Sequence, residues 1–175
     1  RPNLLSSPLR SRFGATFRFD YYKTEDIKTI IERSAEILTV GLEPAAVSII
    51  ADASRFTPRI ANRLLKRSRD FAEVNNIKII DSKLAFKVLE LLEIDELGLE
   101  STDRQLLEII IKKFKGGPVG LNTLSAALGE DKGVIEDVFE PYLMKIGMLQ
   151  RTSIGRVATE RAYKHLNIEA KRREY

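Results

Sequence analysis

Arginine dominates the chemistry open to this chain, and its arginines are grouped. From Arg55 to Arg69 six basic side chains occur with no acid among them. The segment beneath them reads as a helix start. Thr57 suits an N-cap, and Pro58 fits the first helical position because its missing N–H would have no partner there. Arg59 then falls in the first turn, where free N–H groups and the helix dipole already create positive potential. A cation there is unfavourable unless an anion also binds, which makes Arg59 a candidate phosphate ligand. A second pair, Arg151 and Arg156, brackets Thr152-Ser153-Ile154-Gly155. If that turn closes a hairpin, the two guanidinium groups come together and suit adjacent backbone phosphates, contacts that are salt-sensitive and indifferent to sequence.

Other chemistries lack their residues. There is no cysteine and a single histidine, His165, so neither a disulfide nor a cysteine or histidine metal site is expected, and His165 reads as a surface or half-buried side chain. No Gly-Lys-Ser/Thr phosphate loop occurs. Ile77-Lys78-Ile79-Ile80-Asp81 and Leu91-Leu92-Glu93-Ile94-Asp95-Glu96 have the apolar-then-acid look of a nucleotide-site strand, yet a charge breaks each run, and both read as core edges. No run of about 18 apolar residues exists, so no membrane span is expected and a cytoplasmic location fits. The start Arg1-Pro2-Asn3-Leu4-Leu5 resembles neither a signal peptide nor a natural beginning, which suggests a piece of a longer protein.

These residues must be positioned by elements, and the periodicity is mainly helical. Thr24 reads as the cap of a helix with Ile27, Ile30, Ile31, Ala35 and Leu38 on one face. Pro44 opens a second helix, running to Ser54. The basic helix follows from Thr57 to about Val74, with Ile60, Ala61, Leu64, Leu65 and Phe71 as its apolar stripe, and Asp81 or Ser82 caps a fourth carrying Leu84, Ala85, Val88, Leu89 and Leu92. Four amphipathic helices with short loops make a small bundle. The acidic stretch around Gly98 marks a boundary. Beyond it come a helix from Ser101 to Phe114, a short one from Asn122 to Leu128, a longer one from Asp131 to Ile146, the hairpin, and a last helix from Glu160 to Leu166. Helix, helix, helix, hairpin is the order of a winged-helix domain. At the other end, Thr16 to Tyr21 alternates as a short strand would.

Charge is unevenly placed. Residues 94–144 hold 5 basic and 10 acidic groups, whereas 145–173 hold 8 basic and 2 acidic, so a polyanion should meet the last part of the chain. The wing rather than the preceding helix should make that contact, because Asp131, Glu136, Asp137 and Glu140 on the helix oppose only Lys132 and Lys145.

Several blocks together resemble the RuvB family of AAA+ Holliday-junction branch-migration motors: Thr57-Pro58-Arg59-Ile60-Ala61-Asn62-Arg63-Leu64-Leu65 with Arg69-Asp70-Phe71-Ala72-Glu73-Val74, Ser7-Pro8-Leu9-Arg10-Ser11-Arg12-Phe13-Gly14, Gly116-Gly117-Pro118-Val119-Gly120-Leu121, and Glu140-Pro141-Tyr142-Leu143 followed by Gln150-Arg151-Thr152. The resemblance implies a mainly α chain: the end of a large ATPase domain over 1–22, a small helical AAA+ lid over 23–93, and a winged-helix DNA-binding head over 96–175. It implies ATP as cofactor, with magnesium held by the large domain, a homohexamer on duplex DNA at Holliday junctions, and RuvA and RuvC as partners. Arg12 would be the arginine finger acting in a neighbouring subunit, Tyr22 would stack on the base, and Arg59 would be the sensor-two arginine reading the γ-phosphate. The sequence departs from the family's usual wing, which carries proline and arginine where Ser153 and Ile154 stand, so one positive charge is lost. The rival reading is a non-enzymatic winged-helix regulator with a helical partner-binding domain, which would have no use for Arg12 and Arg59.

Overall fold

A computed structural model describes residues 7–10, 12–15, 17 and 19–169. After a short α1 (Ser7–Arg10), residues up to 23 form no strand among those described. The expected strand at Thr16–Tyr21 is therefore not seen, with Thr16 and Arg18 outside the described residues. The lid follows as α2 (Thr24–Ile37), β1 (Gly41–Leu42), α3 (Pro44–Asp52), α4 (Pro58–Val74), β2 (Ile79–Ile80) and α5 (Ser82–Leu91).

The apolar stripes face one another as their spacing requires. Ile27 and Ile31 from α2, Val47 and Ile50 from α3, Leu64 and Leu65 from α4, and Leu84, Val88 and Leu89 from α5 form one buried cluster with Ile80. Each such side chain contributes roughly 1.5–3 kcal/mol on leaving water. Ile60 and Phe71 pack at its margin. Leu92 was expected on the buried face but lies just past the end of α5 and is half exposed. Ile79 and Ile80 pair in parallel with Gly41 and Leu42. A two-residue ladder leaves no periodicity to read, which is why the sequence showed only a core edge there.

Helix starts are displaced by one residue from the expected caps, for a common reason. Lys23 precedes α2, and its N–H donates to Asp26; Glu100 precedes the first head helix, and its N–H donates to Asp103. In both cases a carboxylate in the first turn does the capping, so the hydroxyl residue next door is already helical. Thr57 is the N-cap of α4 by backbone, but its hydroxyl donates to the Arg55 carbonyl rather than accepting a helix N–H. Asp81 caps α5 by accepting the Leu84 N–H at 2.8 Å.

The head comprises α6 (Ser101–Glu108), which runs into a π-type turn over Ile109–Lys113, then α7 (Leu121–Leu128), α8 (Lys132–Val134), a second π-type turn over Ile135–Phe139, α9 (Glu140–Lys145), the hairpin β3 (Leu149–Thr152) and β4 (Gly155–Ala158), and α10 (Glu160–His165). The helix expected from Asp131 to Ile146 runs unbroken over 132–145, with Val134, Ile135, Phe139 and Glu140 all right-handed helical, but it widens by a π-type turn just before Pro141. A proline lacks the N–H that a regular α-turn would use there, and a wider turn is one way a helix accommodates it. The antiparallel register sets Arg151 opposite Arg156 and Thr152 opposite Gly155. Gly155, at φ +151, brings the wing against Val119, whose backbone a side chain at this position would overlap.

A second apolar cluster fills the head, and one residue of the lid enters it: Phe56, from the α3–α4 loop, packs there with Leu97 and Phe139. Tyr142 meets it from α9, with ring centroids 6.2 Å apart, and donates its hydroxyl to the Leu97 carbonyl. Burial pushes the Tyr142 phenol from 10.0 up to about 12. Its folded value lies above its unfolded one, so the contribution is complete below pH 10 and is lost as pH rises through about 12. Spectrophotometric alkaline titration should show a tyrosine step near that upper value, and Tyr142→Phe should remove it; survival of the step in the variant would refute the assignment.

Candidate functional site

Arg59 is the second residue of α4 and points into solvent. It lines an open groove with Asn62, Arg63, Lys66, Arg67, Arg69 and Asp70. Most of its cationic neighbours are engaged. Arg63 contacts Glu100 at 3.2 Å, Arg67 contacts Asp70 at 3.5 Å, and Arg69 contacts Asp70 at 2.8 Å, a hydrogen bond that raises the guanidinium pKa. Arg59 has no ion pair among the described residues. A free guanidinium beside a helix N-terminus is the donor set that a phosphate oxygen fits.

Tyr22 lies next to this helix start. Its backbone N–H donates to the Phe56 carbonyl at 3.3 Å, and its ring is half exposed. Phe56 is three residues before Arg59, so the two expected nucleotide-side residues flank one loop. An exposed tyrosine ring suits a base by stacking. Arg12 is also exposed, with its N–H donating to the Leu9 carbonyl at 3.1 Å. No contact among the described residues joins its side chain to Tyr22 or Arg59. Among the described residues no group of three or more histidine, cysteine, aspartate or glutamate side chains could hold a metal ion. His165 instead contacts Asp95 at 2.8 Å.

The wing departs from expectation. The register does bring Arg151 and Arg156 side by side, but Arg156 is only 8% exposed. Its Nε donates to Glu140 at 2.6 Å and its Nη2 to Glu136 at 3.0 Å. Burial works against the guanidinium charge, but the hydrogen bond and charge of Glu140, with those of Glu136, outweigh it and raise the pKa. Arg156 as an open phosphate contact is thus corrected: its donors are committed to a carboxylate that is itself 1% exposed. Arg151 remains half exposed while contacting Glu136 and, at 3.2 Å, Glu140. Two acids of the helical segment therefore face the wing, not a groove. At the turn Ile154 is 74% exposed. The basic run Lys171-Arg172-Arg173 lies outside the described residues.

Sequence reasoning missed Arg55. Its guanidinium meets Asp103 of α6 at 3.0 Å and lies 4.3 Å from the Tyr142 ring centroid. Arg55 had been counted only as part of a basic run, and a contact 48 positions away leaves no local pattern.

Comparison with known proteins agrees with this geometry. The family model described as the RuvB AAA lid domain matches residues 22–95, and that of the RuvB C-terminal winged helix domain matches 96–167. The Holliday junction branch migration complex subunit RuvB of Chlorobium chlorochromatii is 53% identical over 163 residues, covering 93% of this chain and 46% of the relative. That of Koribacter versatilis is 49% identical over 174 residues, 99% of this chain and 48% of the relative. The chain spans about half the length of these curated relatives. The solved Thermotoga maritima RuvB branch-migration motor superposes with a TM-score of 0.91 at 48% identity, over 98% of this chain and 57% of that one. Lid and winged-helix head occur here in the order, fold and sequence of these proteins, and the chain belongs to the RuvB family.

Proposed function

We propose that this chain is the lid and head of an ATP-dependent motor that drives branch migration of Holliday junctions, with residues 23–93 responding to nucleotide and 96–175 holding DNA. The observation that carries the reading is Arg59, a guanidinium without an ion pair among the described residues, in the first turn of α4 and near a half-exposed Tyr22. The relatives are named as subunits of a branch migration complex, and the same role is taken here, with RuvA and RuvC as partners and a ring of six subunits on duplex DNA. ATP supplies the phosphoryl group whose cleavage powers the movement. This chain's own residues sense and position: Arg59 holds a terminal phosphate oxygen in its own subunit, Tyr22 covers the base, and Arg12 neutralises charge in the neighbouring subunit's site.

In a full-length protein carrying this chain, Arg12→Ala should abolish turnover with nucleotide binding kept, and mixing it with a subunit lacking the phosphate-loop lysine should restore some activity. Absence of rescue at every mixing ratio would place Arg12 in its own subunit's site. Arg59→Ala should leave ATP bound yet reduce hydrolysis, and unchanged hydrolysis would exclude the sensing role.

For DNA, the wing contact falls to Arg151. Arg151→Ala should weaken binding equally for duplexes of any sequence and lower the slope of log affinity against log salt by roughly one unit. Glu136→Gln, which removes one of the two carboxylate charges beside the Arg151 guanidinium, should leave affinity unchanged or raise it. Arg156→Ala should act differently, because it leaves the buried Glu140 with only the half-exposed Arg151 as counter-ion, at a cost of up to about 3–5 kcal/mol to the head. Fluorescence anisotropy at several salt concentrations, with thermal melts alongside, distinguishes the two arginines; a strong preference for one base sequence would favour a regulator instead.

A further inference from the structure

The α3–α4 loop is an unusual piece of backbone. Arg55 and Phe56 are consecutive non-glycine residues at φ +55 and +54. Each such conformation costs on the order of 1–3 kcal/mol and persists only where the surroundings over-determine it. Here the side-chain partners come largely from the other domain. Arg55 makes a forked contact with Asp103, at 3.0 and 3.5 Å, and stacks on Tyr142. Asp103 has no solvent exposure. Phe56 enters the head cluster, touches Tyr142 on one side and Tyr21 on the other, and has Lys145 of α9 5.0 Å from its ring centroid. Gly98 of the linker, at φ +74, lies so close to Ala53 that a side chain there would overlap the Ala53 carbonyl.

The same loop carries the nucleotide-side residues. The Phe56 carbonyl accepts the Tyr22 N–H, Thr57 begins α4, and Arg59 is four residues after Arg55. We infer that Arg55 and Phe56 are positioning residues that fix the head to the start of the sensor helix, so that a displacement of Arg59 is carried to α9 and the wing without loss in a flexible linker. The inference rests on the reading of Arg59 as a phosphate sensor. It adds the specific elements of transmission: a guanidinium–carboxylate fork for orientation and an aromatic plug for rigidity. A flexible loop would let Arg59 respond to phosphate while the head kept its orientation. Two left-handed residues clamped on both sides allow no such slack.

Two measurements test it separately. On this chain, without ATP or DNA, amide ¹⁵N relaxation should give lid and head one rotational correlation time. Arg55→Ala with Phe56→Ala should give each domain its own shorter time, with each domain's amide spectrum otherwise native. Asp103→Asn, which keeps the side-chain shape and removes the charge, should loosen the pair with less risk to the fold. Independent tumbling of the unaltered chain, or joint tumbling of a folded variant, overturns the clamp. In the full-length protein, Arg55→Ala should leave ATP hydrolysis largely intact while junction movement per ATP falls roughly tenfold. Equal loss of both would make Arg55 merely structural and overturn the transmission role. If the unaltered protein moved no junctions, the motor reading itself would fail, while the tumbling result would still decide the clamp.

Discussion

Asp103 cannot be left alone. A carboxylate with no solvent exposure costs several kcal/mol unless a cation and donors accompany it, and its cation comes from the other domain. Burial pushes the Asp103 carboxyl up, and the Arg55 charge with the Glu100 N–H pulls it back only in part. Because Asp103 also caps α6 through that N–H, the start of the head's first helix and the docking of the lid depend on one side chain. Undocking the loop would expose Phe56, strip Asp103 of its partner and weaken an N-cap together. The relation of lid to head is therefore set by electrostatics at a few atoms as much as by apolar area.

The linker reinforces this without bearing it alone. Asp95 accepts the N–H groups of Leu97 and Leu99 on one oxygen and meets His165 of α10 with the other. Arg104 of α6 donates to the carbonyls of Leu99 and Glu93. The stretch that composition marks as a boundary is thus hydrogen-bonded along its length. Acidity and a glycine identify where one core ends and the next begins, but they say nothing about stiffness, which depends on partners distant in sequence.

That distinction separates what was legible from what was not. Helices with strong stripes were readable because spacing of three and four follows from helix geometry: Ile27, Ile31, Leu64, Leu65, Leu84 and Val88 all lie in the core assigned to them. Arg59 was readable because Thr57 and Pro58 fix where its helix begins. The β1–β2 ladder was not, being two residues long, nor were the π-type turns near Ile109 and Ile135, since the same apolar residues suit a regular helix. Arg55 and Asp103 look like ordinary surface charges in sequence. Only tertiary packing makes one the counter-ion of the other.

The wing shows the same limit with a functional consequence. Counting charge by segment pointed to the end of the chain as the DNA-facing surface, yet counting treats every arginine as available. Arg156 is held by Glu140 and Glu136, and Arg151 shares those acids while keeping half its surface open. The pairing uses the positive charge of Arg156 to hold the hairpin against the helical segment, and any anion that approaches Arg151 competes with a carboxylate already beside it. A contact of that kind is weak by itself and easily exchanged. Where several weak contacts act together, affinity comes from effective concentration rather than from any single strong contact. A wing of that kind favours many exchangeable contacts over one firm one, and Ile154, exposed at its turn, adds no charge to it.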